Sequence, residues 1–159
     1  MKYFKAILGI SPNQIRPTVI ISPIIYPKHF GQKTSADKSQ LGFITVDLGN
    51  ITLIKTPMTQ GAVKDAVLLL AQTRCRQIVF AGAIGGLSKD LKIGDILVTN
   101  NPKHIFSFDS LSDETPEKLK QLQKQKVLGI DFESRALFAA AKKVKLPVTA
   151  YYVVTVRPP

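Results

Sequence analysis

Cysteine is almost missing from this sequence of 159 residues, where Cys75 stands alone. One thiol closes no disulfide within the chain and builds no cysteine metal cluster, which points to a reducing compartment, the cytoplasm. Arg74 and Arg76 flank it and favour a thiolate, but a buried, inert thiol is the reading preferred. Histidine is nearly as scarce. His29 and His104 stand far apart with no ligand spacing around either, so neither a metal nor another cofactor is expected. Long apolar runs are missing as well: the opening MKYFKAILGI is short and has no small-residue cleavage pattern. It reads as neither signal peptide nor membrane span, and no membrane partner is expected. Acidic residues are in short supply, with 11 Asp+Glu against 22 Lys+Arg and a formal charge of +11. That balance makes nucleic acid, phosphorylated small molecules or an anionic membrane attractive without choosing among them. Lys118, Lys120, Lys124 and Lys126 in KLKQLQKQK form the best local case for nucleic acid. Few aromatics are interleaved there for base stacking, so a solvated helix face explains the same lysines and nucleic acid is not the expected partner.

What is present is an ordinary globular composition, 45% hydrophobic and 21% charged, too apolar for a disordered chain. At this length one domain over residues 1–159 is expected, burying about two-thirds of the surface its unfolded chain exposes. Apolar, β-rich stretches alternate with helical patterns. Residues 18–25 (TVIISPII), 43–46 and 51–54 read as strands, the last two joined through a hairpin turn at Gly49-Asn50. In GAVKDAVLLLAQTRC, Val63, Ala66, Val67, Leu70 and Ala71 fall on one stripe at helical spacing. Residues 77–81 show no polar alternation, the mark of a strand covered on both faces in a parallel sheet. A strand at 93–99 follows, then a polar helix with Thr115 as N-cap and Pro116 at its first position. An alanine-rich helix over 133–144 and a closing strand over 147–156 complete the chain. Alternating strands and helices predict an α/β fold: three layers, α/β/α, around a mostly parallel central sheet. In such sheets ligands bind at the carboxyl ends of the strands.

One stretch lies at such an end. FAGAIGGLSKDLKIGDIL, residues 80–97, carries Gly82, Gly85 and Gly86 directly after the strand at 77–81. There a missing side chain lets a ligand approach the backbone and lets N–H groups face an anion or a sugar. A tight connection that needs positive φ and nothing more is the alternative. No Walker lysine follows, and Gly82-x-x-Gly85 is not the dinucleotide fingerprint.

The same stretch resembles the glycine turn and following strand of the nucleoside phosphorylase and nucleosidase superfamily. LGIDFESRALFAAAKK, residues 128–143, resembles that family's Asp-Met-Glu-Ser-Ala-Ala segment, with Asp131, Phe132, Glu133 and Ser134 in the matching places. TPMTQGA, residues 56–62, is similar to the loop and helix start before the glycine turn, and SFDS, residues 107–110, to the strand before the last helices. The resemblance implies the nucleoside phosphorylase fold, a small-molecule nucleoside or base as ligand, and a homo-oligomer. It implies binding through Gly82, Ala83, Gly85, Phe132 and Glu133. Cleaving an N-glycosidic bond passes through an oxocarbenium-like sugar and needs a protonated leaving base. The resemblance assigns Glu133 the catalytic role of accepting hydrogen bonds from two sugar hydroxyls; a helix-start acid favoured by the macrodipole is the alternative. Phe132 takes the place of the family's methionine against sugar and base, where an aromatic ring stacks, or else belongs to the core.

Departures from the family pattern bear on the reaction. Where the phosphorylases carry a phosphate-binding arginine and a serine, this chain has Phe80 and Ala83. SPIIYPK, residues 22–28, is the nearest match to the family's Gly-Asp-Pro-x-Arg motif, with Ile24 for the glycine and Lys28 for the arginine. Lys28 is therefore the phosphate-binding candidate, and it lacks the bidentate fork. The family's leaving-base aspartate, in a Ser-Asp pair beyond the last strand, is matched by Thr155 and Val156, neither of which protonates a purine. Asp109 is a candidate replacement, though a turn aspartate is the simpler reading. The sequence ends at Pro159 without the family's C-terminal helix, and the connection over 98–107 is shorter than the family's, as in a reduced version of the fold. Expected from all this is binding of a purine-type nucleoside and cleavage of its N-glycosidic bond, by water rather than phosphate. The alternative is a non-catalytic nucleoside- or base-binding relative, or a subunit of an assembly.

Overall fold

The structure, a computed structural model, describes residues 2–31, 39 and 41–158. Its elements run α1 (Lys2–Leu8), β1 (Thr18–Ser22), β2 (Ile44–Asp47), β3 (Ile51–Lys55), α2 (Gln60–Leu70), β4 (Gln77–Gly86), β5 (Ile96–Thr99), β6 (Ile105–Ser107), α3 (Pro116–Lys124), β7 (Gly129–Asp131), α4 (Ser134–Val144) and β8 (Val148–Val156). The eight strands make one sheet of order β2-β3-β1-β4-β7-β6, with β8 also pairing with β4 and β5 with β8. β1 lies parallel to both β3 and β4, β8 parallel to β4, and β6 parallel to β7. β2, β7 and β5 join antiparallel to β3, β4 and β8. This is the α/β architecture expected. The hairpin read from Gly49-Asn50 joins β2 to β3, and Gly49 adopts a φ of 93° that suits glycine.

Two helices cover one face. Thr59 opens α2 by accepting from the Ala62 N–H at 3.1 Å, and Val63, Ala66, Val67 and Leu70 of the predicted stripe are fully buried. α4 adds Leu137, Ala140 and Ala141, and both helices meet Ile78, Phe80, Ala150 and Tyr152 of the sheet in one core. Burying a Val, Leu, Ile or Phe side chain is worth about 1.5–3 kcal/mol over leaving it exposed, so this face supplies the main driving force. α3 starts where expected: Thr115 accepts from the Lys118 N–H at 3.3 Å, with Pro116 at the first position. Its Leu119 and Leu122 pack with Leu87, Phe108 and Ile130 in a second, smaller core. Alternation along β7 turns Ile130 towards α3 and its neighbour Asp131 towards α4, so at this end the sheet has a helix on each face. Cys75 is buried, and burial pushes its thiol up to about 11, which makes it the inert thiol expected.

β4 corrects the sequence reading at the glycines. The strand does not end at Ala81 but continues through Gly82, Gly85 and Gly86, and none of the three has positive φ. Crowding, not a turn, excludes a side chain there. A Cβ on Gly82 would lie 2.6 Å from Phe80 Cε1 and 3.4 Å from Tyr152 Cδ1. One on Gly85 would lie 3.0 Å from Ile130 Cγ1 and 3.1 Å from Pro158 Cγ, and one on Gly86 3.0 Å from Val154 Cγ1. The Phe80 and Tyr152 rings, 5.8 Å apart and tilted by 58°, fill the room that Gly82 leaves.

The partners of β4 change along its length. β1 accompanies it only over Gln77–Phe80 and β7 only at Gly85 and Gly86, while β8 runs along its other side. Between β1 and β7 the described residues place no strand, and the sheet forks.

Gly82→Ala is expected to lower the unfolding free energy by roughly 1–3 kcal/mol, because the new methyl must displace the Phe80 ring. Urea denaturation measures this; Phe80→Leu in the same chain should recover part of the loss, and an unchanged stability of the single variant would contradict the packing account.

Candidate functional site

The fork opens into a cleft of about 410 Å³, within the range of about 300–1,000 Å³ usual for small-molecule sites. Ala83, Ile84 and Gly85 of β4 form its floor, Pro23 and Ile24 beyond β1 one side, and residues 130–133 the other. Met58, Leu111 and Glu114 enter from loops, and Thr155, Val156 and Pro158 from the end of β8. The carboxyl ends of parallel strands thus meet here, as expected for such a sheet. Ser22 turns the chain away from β4: its hydroxyl donates to the Ala81 carbonyl at 2.6 Å and accepts from the Ile24 and Ile25 N–H groups at 3.2 and 2.9 Å.

Asp131 fixes the opposite wall. Its buried carboxylate accepts from Ser107 Oγ at 2.5 Å and from the Ser134 N–H at 3.2 and 3.0 Å. The Ser134 hydroxyl donates to it as well, and itself accepts from the Tyr152 hydroxyl. Ser107 Oγ in turn accepts from the Arg135 N–H at 2.8 Å. β6, β7, α4 and β8 are joined through this one network. Burial pushes the Asp131 carboxyl above its ordinary range, and the Ser107 and Ser134 hydrogen bonds act against that rise. Burial raises the Tyr152 phenol too.

Glu133 stands at the N-cap position of α4 but makes no side-chain cap. Asp131 supplies that service to the first turn by holding the Ser134 N–H, which leaves the Glu133 carboxylate to line the cleft. It is 6% exposed, and one oxygen accepts from the Phe132 N–H at 3.3 Å. Burial, together with the neighbouring Asp131 charge, pushes its carboxyl up to about 7. A carboxyl group so placed exchanges its proton near neutrality and, once ionised, is a strong acceptor for ligand hydroxyls.

Residues 28–105 match the family model described as the phosphorylase superfamily. Among solved structures the chain is similar to an AMP nucleosidase from Bacteroides thetaiotaomicron, with a TM-score of 0.80 and 13% identity over 96% of this chain and 86% of that one. It is similar also to a uridine phosphorylase from Vibrio fischeri, with a TM-score of 0.75 and 17% identity over 94% and 83%. The family match covers residues 28–105, and the fold over nearly the whole chain is that of the nucleoside phosphorylases and nucleosidases. Among curated proteins none matches the sequence. Identities this low carry the superfamily fold and not the reaction.

Of the residues that the superfamily resemblance picked out, the fold brings Ala83, Gly85, Phe132 and Glu133 to the cleft. Gly82 belongs to the other face of β4, where its Cβ direction meets Phe80 and Tyr152. Lys28 does not line the cleft; it sits in the single turn Pro27–Phe30 with its Nζ 5.7 Å from the Tyr26 ring centroid. Phe80, at the superfamily's arginine position, is wholly buried in the main core. Thr155 and Val156 do line the cleft, the Thr155 hydroxyl directed to the Ile84 carbonyl at 3.5 Å. Asp109 does not: Arg135 pairs with it and Gln60 Nε2 donates to it at 2.9 Å. Sequence reasoning gave no role to Met58, Leu111 or Glu114, because loop residues have no periodicity to announce which way they face. Among the described lining residues none is basic.

Glu133 also makes a pH-dependent contribution to stability. Its folded value of about 7 lies above its ordinary 4.5, so between those two values the folded chain holds a proton that the unfolded chain has released. Stability therefore falls as pH rises through that window and stays lower above it. Glu133→Gln removes the effect: the variant should be more stable than the parent by up to about 3 kcal/mol near pH 8 and equal to it near pH 4. Thermal unfolding of both proteins across that range provides the check, and parallel pH profiles would show that the carboxylate is solvated.

Proposed function

We propose that the chain binds a purine-type nucleoside in this cleft and cleaves its N-glycosidic bond with water. The observation that carries the reading is the Glu133 carboxyl, buried beside Phe132 and facing a cleft whose floor is the backbone of β4. Ionised, it accepts from two sugar hydroxyls and steadies the positive charge that develops on the sugar as the bond lengthens. Phe132 offers a ring face to sugar or base. Ile24, Ile130 and Val156 add apolar wall to the cleft.

The superfamily neighbours include both a nucleosidase and a phosphorylase, so the choice of nucleophile rests on the lining. A phosphate dianion needs cations or several donors. No basic side chain lines the cleft among the described residues, Phe80 lies in the core, and Lys28 stands off the cleft. These features favour water.

Purified protein incubated with inosine, adenosine and methylthioadenosine should release free base at the same rate with and without phosphate. Glu133→Ala should lower that rate by about 100-fold or more. Chromatographic detection of the base decides the matter: release that requires phosphate would reject hydrolysis, and release unaffected by the substitution would remove Glu133 from the mechanism. Activity should also rise with pH through about 7 as Glu133 ionises.

A further inference from the structure

Resting on the nucleosidase reading above, one question remains: which group protonates the base. A purine leaves as an anion unless it gains a proton while the carbon–nitrogen bond breaks, so such a site needs an acid within reach of the base. The residues that line the cleft include three carboxyl groups, those of Asp131, Glu133 and Glu114. Asp131 is engaged on both oxygens by Ser107 and Ser134. Glu133 lies next to Phe132 at the place assigned to the sugar. Glu114 differs from both.

Glu114 sits between the single turn Leu111–Asp113 and α3. Its backbone is held from both sides: its N–H donates to the Leu111 carbonyl at 3.2 Å, and the next residue, Thr115, is the α3 N-cap. It lines the cleft together with Leu111 and Met58, two apolar residues. No hydrogen bond or ion pair to another described residue engages its carboxyl. We propose that Glu114 is the general acid that protonates the leaving base.

The step balances without a further reactant. The Glu114 carboxyl gives its proton to a base nitrogen as the bond to the anomeric carbon breaks, and the electron pair of that bond leaves with the base. Water adds to the anomeric carbon and gives a proton to the Glu114 carboxylate, which restores the acid. Nucleoside and water become free base and free sugar. Burial holds the Glu114 carboxyl above its ordinary range, which keeps it protonated closer to neutral pH. Thr155 and Val156, which line the same cleft, offer no titratable proton in its stead.

Leaving-group dependence tests the assignment. Two substrates are compared in the parent and in Glu114→Gln: inosine, whose base needs a proton to leave, and para-nitrophenyl β-D-riboside, whose nitrophenolate does not. The variant should lose about 100-fold or more on inosine and keep close to the parent rate on the nitrophenyl riboside. Retained nitrophenyl activity also demonstrates that the variant is folded. Unchanged inosine turnover in the variant would overturn the proposal while leaving the nucleosidase reading intact. An equal loss on both substrates would overturn it too, as the mark of a residue that only positions the loop. A parent protein that cleaves neither substrate would overturn the nucleosidase reading and this assignment with it.

Discussion

Asp131 draws hydrogen bonds from two elements at once, Ser107 at the end of β6 and Ser134 at the start of α4, and through Ser134 it reaches Tyr152 on β8. In a low-dielectric interior such a network is strong when every member has a partner and costly when one is lost. Its geometric effect is to cap α4 from two residues upstream, so that Glu133 need not fold back on its own helix. Its electrostatic effect falls on the same residue. A carboxylate two positions away, in a region that burial has already made unfavourable for charge, raises the proton affinity of Glu133 further. One interaction both frees the side chain from its own helix and adds to the rise in proton affinity that burial causes.

Charge is distributed unevenly with respect to this site. The chain carries twice as many basic as acidic residues, yet the cleft is lined by acids and none of the described lysines or arginines. The lysines of α3 lie mainly on its exposed side, where Lys120 and Lys124 face solvent. The basic surface therefore attracts anions in general without placing a cation in the cleft, and composition is a poor guide to the ligand. What selects the ligand is local: an apolar enclosure with two carboxyl groups not bound to the core.

The strand and helix pattern was legible because burial has a period. The stripe Val63, Ala66, Val67 and Leu70 became the buried face of α2, and Thr115 and Pro116 mark the start of α3. Glu133 and Phe132 were found through a motif and do reach the cleft. The glycines misled, since a cluster of Gly reads locally as a turn, whereas the reason for Gly82 is an aromatic ring two residues earlier in the same strand. Lys28 was placed by a motif match alone, and its ammonium rests near Tyr26 instead. Glu114 could not be read at all, because its relation to the cleft depends on how β6, β7 and α3 come together.

The floor of the cleft is β4, where Ala83 and Gly85 are too small to project far into it. A surface of this kind has almost nothing to mutate: Gly85 accepts no larger residue without pressing on Ile130 and Pro158. Variation is left to Met58 and Leu111, which stand outside the sheet and contribute nothing to its register. The fold thereby separates what must stay constant from what is able to drift. New ligand preferences are reachable by substitutions at these exposed positions, and a library confined to those two would explore the specificity of the cleft without sampling its scaffold.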